Sequence, residues 1–405
     1  MMDAPGSYDV AIAGAGPAGT SAAIHLAMSG ARVLLIEQKK FPRAKLCGEF
    51  ISPECVQHFE RLKVSDQMLA AGGAALTHTV FYSRRGRRLT VPSEWFGSNL
   101  SALGLSRAEM DQKLLERAKT LGVCVLEGAH ASDILLSQGA VRGIRVRSES
   151  QTCDYRALVC IDATGKARSL ARRLNGGNDN GRRRRARLIA FKAHLKGAQP
   201  AAGACEIYSY PGGYGGLSSV EGGLSNFCFI ASAKDVRRYG SDPETVIRES
   251  IFKNPRAAST LADARPCTEW LGVSIERFGR HELVPARGLL TIGDAAAFID
   301  PFTGSGMLMA LESGELGARA ILDHLEELRE DSSFEPLGLK YRLRYAETFN
   351  SRLRFCNLLR RVAFVPWLAE FAIICFGASA HLRHTIATAT RPSLEPDDTS
   401  RLLKE

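Results

Sequence analysis

No two of the ten cysteines in this 405-residue chain form a CxxC pair, and none stands at a Cys/His spacing suited to a metal. A disulfide framework and a structural zinc site are therefore not expected, and scattered free thiols suit a reducing cytoplasm. Met1-Met2-Asp3-Ala4-Pro5 has neither a basic segment nor an apolar one, so no export signal is expected. No internal repeat is visible. The longest apolar stretch, Val362 to Phe376, is interrupted by Pro366 and Glu370 and falls short of a membrane span. Core packing is one reading of it; a surface resting on membrane, or a lipid-lined substrate entrance, is the other. The net charge is +10, with much of it in Arg168, Arg172, Arg173 and the run Arg182 to Arg185 with Arg187. Without a nucleic-acid motif or interleaved aromatics, that charge does not indicate nucleic-acid binding. A solvated loop, an anionic membrane surface, or an acidic partner remain as readings.

What the chain does have is glycine in two patterned clusters. The apolar run Tyr8 to Ala13 leads into Gly14-Ala15-Gly16-Pro17-Ala18-Gly19. Gly14 suits a tight turn, Gly16 lets the backbone approach a pyrophosphate, and Gly19 lets the next helix pack against the strand. That helix is predicted from Pro17 to about Ser29, with its positive end toward the phosphates and Pro17 and Ala18 in its first turn. A second strand, Ala31 to Ile36, leads to Glu37, placed to accept hydrogen bonds from adenosine ribose hydroxyls and to repel a 2′-phosphate. Far along the chain, Leu289-Leu290-Thr291-Ile292 reads as a buried strand entering Gly293-Asp294, followed by Pro301 and Gly304-Ser305-Gly306. Asp294 would face hydroxyls, and a helix from about Met307 to Leu325 would aim its N–H groups at a partly anionic ligand edge. Together the clusters predict one cofactor, FAD, held by both ends of the chain. No second strand–GxGxxG–helix unit is present, so NAD(P)H is expected only as a transient electron donor, with a separate carrier as the alternative.

On these residues the chain resembles the FAD-dependent oxidoreductases that include aromatic-ring hydroxylases of the p-hydroxybenzoate hydroxylase type and the geranylgeranyl reductases, over roughly residues 8 to 330. Phe41-Pro42-Arg43-Ala44-Lys45-Leu46-Cys47-Gly48-Glu49 matches the reductases' PRxKxCGE element. Ser106-Arg107-Ala108-Glu109-Met110-Asp111 is similar to the segment whose arginine reaches the cofactor, and Ile161-Asp162-Ala163-Thr164-Gly165 to the middle DG element. The resemblance implies cofactor contacts at Gln38, Arg43, Cys47, Gly48, Arg107, Asp162, Gly165, Gly293, Asp294, Pro301, Gly304, Ser305 and Gly306. Arg107 as a surface residue, Asp162 as a turn former and Asp294 as a helix cap are the alternatives. Cys47 is a candidate for substrate positioning or redox, or an inert buried thiol.

The implied fold is α/β, a Rossmann-type (GR2-like) FAD-binding domain interleaved with a β-sheet substrate domain, plus C-terminal helices. The expected division is cofactor domain at 1–75, 101–175 and 286–330, substrate sheet at 76–100 and 176–285, and a helical tail over 331–405. Within the sheet, Pro211 and Tyr214 match the reductases' P-x-x-Y-x-W-x-F-P element, while Gly216, Ser218 and Ser219 stand where it has tryptophan, phenylalanine and proline. Tyr214 is a candidate to hydrogen-bond a substrate oxygen or to pack in the sheet. The expected enzyme acts on an apolar small molecule, reducing or dehydrogenating a carbon–carbon bond. Hydroxylation of an aromatic or polyketide ring is the alternative, and a non-catalytic flavoprotein is a third. Peripheral membrane contact is left open. In the tail, Tyr341, Tyr345, Phe349, Leu353, Phe355 and Cys356 fall roughly on one helix face.

Overall fold

The computed structural model describes residues 7–96, 101–149, 151–174, 187–275, 278–300, 302, 304–330, 333–363, 370 and 384. The basic run and most of the 362–376 segment lie outside them, as does Pro301. A seven-stranded sheet is ordered Cys124–Glu127, Val33–Glu37, Tyr8–Ala13, Thr152–Asp162, Ala140–Arg147, His130–Ser137, with Leu289–Thr291 also on Thr152–Asp162. Thr152–Asp162 forks. Its first half pairs antiparallel with Ala140–Arg147, and its second half lies parallel between Tyr8–Ala13 and Leu289–Thr291. Val10 to Ala13 are fully buried, as expected of a central parallel strand covered on both faces.

Helix Pro17–Met28 follows the first strand, with proline at its start, and Gly30 at φ 81° closes the turn beyond it. The second strand begins two residues later than the sequence suggests and takes in Glu37 as its last residue. Helix Gly306–Leu322 crosses Pro17–Met28 at backbone contact, because both carry small residues there. A Cβ on Gly314 would stand 2.3 Å from the Ala18 carbonyl oxygen, and the Ser21 hydroxyl donates to the Leu311 carbonyl at 2.9 Å. The last described helix, Glu335–Ala363, buries Tyr341, Tyr345, Phe349 and Cys356 against this core, while Phe355 is only half-buried.

The second sheet has eight strands. Its order is Arg265–Pro266, Leu188–Lys196, Ser225–Ser232, Gly213–Ser219, Ala204–Tyr210, His78–Tyr82, Arg88–Pro92, with Leu271–Ile275 also on Leu188–Lys196. One face packs Phe191, Tyr208, Tyr210, Phe227 and Phe229 against the helices Ala233–Arg238, Pro243–Ser250 and Pro255–Thr260. The other face carries Ala190, Tyr214 and Ile230 with Leu46, Ile207 and Phe302. A small sheet of Phe50–Ile51, Ala102–Gly104 and Ala74–Leu76 stands between the large ones.

Three helices beside the first sheet are also pinned by charge. Glu315, on Gly306–Leu322, meets His58 at 3.2 Å and Arg61 at 3.2 Å from helix Glu54–Arg61, Arg319 at 2.6 Å one turn on, and His25 of Pro17–Met28 at 3.9 Å. Burial opposes ionisation of Glu315, but the His58 hydrogen bond and the cationic neighbours outweigh it and hold its pKa at about 2. Burial also lowers His25 to about 4, against the pull of Glu315. Both shifts act in one direction. The unfolded chain takes up a proton at His25 near pH 6.5 and at Glu315 near 4.5, before the folded chain does. Stability from these groups is therefore present above their unfolded pKa values and is lost as pH falls toward their folded ones. Glu315→Gln should cost roughly 1–3 kcal/mol at neutral pH and flatten the fall in melting temperature below pH 4.5. Thermal melts of both proteins across an acid pH series are the check.

Candidate cofactor and substrate site

The first glycine loop is built by close backbone contact. Gly14 adopts φ 104°, and a Cβ there would lie 2.4 Å from the Ala163 carbonyl oxygen. On Gly19 a Cβ would lie 1.9 Å from the Gly14 oxygen. Gly16 differs: its nearest neighbour would be Arg107 Nη2 at 3.9 Å, so it borders space instead of backbone. Glu37 is buried and accepts from the Ala15 N–H on Oε2 and the Lys39 N–H on Oε1, both at 3.0 Å. Those bonds leave each oxygen further lone-pair capacity. Gln38, next to it, is exposed.

A line of alternating charge runs from Glu37 across the mouth of the loop. Arg43 lies 3.5 Å from Glu37 and 3.1 Å from Asp111. Asp111 in turn takes both Nε and Nη2 of Arg107, at 2.8 and 2.7 Å. Arg107 is buried, not a surface residue, and Asp111 pushes its pKa up despite the burial that opposes it. Asp111 was not singled out in the sequence, though its position four residues after Arg107 on a helix could have flagged it.

From the other end of the chain, Gly293 adopts φ 57° beside Ala18, and its N–H donates to Ser313 Oγ at 2.9 Å. Asp294 is half-buried. Burial raises its pKa, while Arg107, Lys45 and Lys166 pull it down, so it faces the same space as Arg107. Gly304 at φ 65° and the buried Ser305 precede the helix that Gly306 begins.

Asp162 requires a correction. Its Oδ1 accepts from the Thr164 N–H at 3.1 Å and hydroxyl at 2.6 Å, and its Oδ2 from the N–H groups of Leu170 and Ala171 at 3.0 and 2.9 Å. Four donors saturate a carboxylate. The Asp162 carboxylate thus holds the turn and the start of helix Ser169–Leu174, and has no lone-pair capacity left for a cofactor. Gly165, at φ 69°, lies half-buried in that turn.

The PRxKxCGE segment bridges the two large sheets. Glu49 sits at φ 52° with its carboxylate buried. It takes the Arg107 N–H at 2.9 Å, Lys192 Nζ at 2.9 Å and His194 Nε2 at 2.6 Å. Burial raises its pKa, but His194, Lys192 and the Arg107 N–H together bring it below the usual value, so it is ionised. Lys192 and His194 also went unflagged in the sequence. Their signal is a lysine and a histidine two apart, and so on one face, in an otherwise apolar strand. Cys47 is half-buried beside Arg107, and its Sγ accepts from the Glu49 N–H at 3.4 Å. Burial pushes the thiol up in spite of Arg107, so it is a neutral thiol and not an activated nucleophile. Gly48 is exposed.

On the second sheet, the Tyr214 hydroxyl donates to Asp300, which also takes the Phe302 N–H at 3.0 Å. The Tyr214 ring meets Phe302 edge-on at 5.2 Å. Burial and Asp300 both keep this phenol protonated. Tyr214 therefore presents its ring to the neighbouring space while its hydroxyl is engaged. A Cβ on Gly216 would meet the tip of Ile207 at 3.2 Å and nothing else closer than 4.0 Å.

The residues present fit a flavin dinucleotide. Gly16 borders open space, Asp294 lies among the cations Arg107, Lys45 and Lys166, and Arg43 Nε is buried with no acceptor among the described residues. Glu37 with Arg43 would hold the adenosine end, the Pro17–Met28 helix start the phosphates, and Asp294 with the Gly304–Gly306 turn the flavin end. The protein should purify yellow and release FAD on denaturation. Glu37→Ala should weaken FAD binding by about 1–3 kcal/mol, the scale of a charge-assisted hydrogen bond, measured by flavin titration of the apoprotein.

Comparison with known proteins agrees with this reading. The profile described as "FAD binding domain" matches residues 7–330. A digeranylgeranylglycerophospholipid reductase of Methanosarcina mazei is 27% identical over 318 residues, spanning 77% of this chain and 74% of the relative. A menaquinone reductase of Mycolicibacterium smegmatis is 28% identical over 332 residues, 76% of this chain and 75% of the relative. Among solved structures, a flavin-dependent brominase aligns with a TM-score of 0.79 at 20% identity, covering 95% of this chain and 93% of its own. A geranylgeranyl bacteriochlorophyll reductase-like protein from Thermoplasma acidophilum aligns at 0.68 and 21% identity, covering 98% and 95%. At such identities these structures speak for the fold. The chain belongs to the FAD binding domain family and is an FAD-dependent oxidoreductase.

Proposed function

We propose that this oxidoreductase reduces a carbon–carbon double bond in an apolar, isoprenoid-like small molecule, in the manner of a geranylgeranyl reductase. The observation that carries the reading is the apolar face of the second sheet. Ala190, Ile230 and Tyr214 lie in one row across three adjacent strands, with Phe302 and Ile207 packed beside them. Bound FAD supplies two-electron redox chemistry at such a face. The chain's own residues supply the surroundings. The Tyr214–Asp300 hydrogen bond fixes the aromatic wall, and Phe302 and Ile207 exclude water from it. Cys47 adds a neutral thiol, and Glu49 with Lys192 and His194 keeps its charge paired within the protein.

The names of the relatives, digeranylgeranylglycerophospholipid reductase and menaquinone reductase, support an isoprenoid-bearing substrate. Electrons would come from NAD(P)H binding transiently or from a separate carrier, since the sequence has one GxGxxG unit. Peripheral membrane contact would suit such a substrate; among the described residues no helix is long and apolar enough to cross a membrane. A second reading, hydroxylation of an aromatic or polyketide ring, is favoured by the loss of aromatic bulk at Gly216 and Ser218.

Two measurements test the proposal. Reduced protein should be reoxidised under anaerobic conditions by a polyprenyl substrate, with loss of one double bond detected by mass spectrometry. Substrate-dependent oxygen consumption with a hydroxylated product would replace this reading with the second. Gly216→Trp should raise the KM for the substrate severalfold with flavin content unchanged, because an indole fills space beside Ile207 while the cofactor contacts lie on other segments. Unaltered kinetics in a fully flavinated variant would place the substrate elsewhere.

A further inference from the structure

The face of the second sheet that carries Tyr214 is graded from apolar to polar. Three strands in register set this out in rows. The first row is Ala190, Ile230 and Tyr214; the second is Lys192, Cys228 and Gly216; the third is His194, Asn226 and Ser218. In the third row, Asn226 is fully buried and Ser218 is 1% exposed. Asn226 donates from Nδ2 to the Cys47 carbonyl at 3.2 Å, which fixes its orientation and aims Oδ1 elsewhere. That Oδ1 and the Ser218 Oγ are both buried without a hydrogen-bond partner among the described residues.

Leaving two buried polar atoms unpaired is costly, and each such group in a folded protein calls for an explanation. The two belong to directly opposed residues on adjacent strands. Their capacities are complementary to one kind of group. An amide oxygen can only accept, whereas a hydroxyl can donate or accept. A ligand hydroxyl satisfies both, donating to Asn226 Oδ1 and accepting from Ser218. The row stands next to that of Gly216 on the same face, over which the proposed function places the apolar part of the substrate.

We infer that Ser218 and Asn226 form a polar subsite that receives a hydroxyl group of an otherwise apolar substrate and sets which way round it binds. The inference rests on the apolar-substrate reading of the same face. The substrate class it specifies is an amphiphile, with a hydrocarbon body on the Tyr214 row and a hydroxyl on the Ser218 row. A buried water could occupy the same place, and the test separates the two.

The experiment uses the FAD-loaded protein and three probes: geranylgeraniol, its methyl ether, and the corresponding hydrocarbon. Dissociation constants are read from the flavin difference spectrum. The wild-type protein should bind the alcohol about tenfold or more tightly than the hydrocarbon, and the ether, which cannot donate to Asn226 but still accepts from Ser218, should fall between the two. Ser218→Ala should narrow the alcohol's advantage to roughly threefold or less, leave hydrocarbon affinity and flavin content unchanged, and melt no lower without ligand, since it removes an unpaired buried hydroxyl. Equal binding of alcohol and hydrocarbon by the wild type would overturn the subsite and leave a water-held pair. An equal loss for all three probes in Ser218→Ala, with a lowered melting temperature, would overturn it as a purely structural contact. Failure of every probe to bind would remove the apolar-substrate reading and the subsite with it.

Discussion

The structure depends on backbone meeting backbone at the start of helix Pro17–Met28. Gly14 lies against Ala163, Gly19 against Gly14, and Gly314 against Ala18, each so close that a Cβ would fall within 2.4 Å of a carbonyl oxygen. Gly293 closes the same cluster against Ala18. Four distant parts of the chain converge there: the first strand, the end of Thr152–Asp162, the turn after Leu289–Thr291, and helix Gly306–Leu322. This convergence, and no single loop, brings Gly16, Arg107 and Asp294 around one space. A side chain at Gly14, Gly19 or Gly314 would push these segments apart and lose dispersion contacts over the whole helix crossing.

A second constraint joins the two sheets. Glu49 holds a left-handed backbone conformation that carries a cost for a residue with a side chain. Its buried charge also carries a desolvation cost. Both are offset by a set of donors drawn from separate elements: Arg107 at a helix start, and Lys192 and His194 on a strand of the second sheet. Removing any one would leave charge buried and poorly paired. The result is a fixed distance between the Cys47 segment and the sheet that faces it.

How much of this the sequence reveals depends on how local the determinant is. Gly14, Gly16, Gly19 and Glu37 lie within one strand–helix–strand unit, so spacing alone places them. Gly293 and Asp294 follow from a short apolar run entering a turn. Asp162 misleads, because a carboxylate before a glycine turn reads the same whether its oxygens face a ligand or the next helix. Only the donors at Leu170 and Ala171 decide it. Lys192 and His194 are illegible as a pair with Glu49 because their partner is far away in sequence and reaches them only through the fold.

Tyr214 shows the same limit from the opposite side. In sequence it is an amphipathic residue whose hydroxyl could serve a substrate. In the fold that hydroxyl is taken by Asp300, and the ring is set edge-on to Phe302. The polar function, one of two readings of Tyr214, is thereby absent from its own row, while Ser218 and Asn226, two rows along the same face, carry polar atoms with no partner among the described residues. The pleat keeps Tyr214, Gly216 and Ser218 on one face at regular intervals. Polarity on this face is therefore a property of position along Gly213–Ser219: an engaged phenol, then an open glycine, then a hydroxyl. A ligand that matched the face would have to change character over the same distance, and that requirement is set by the register of the strands before any single contact is made.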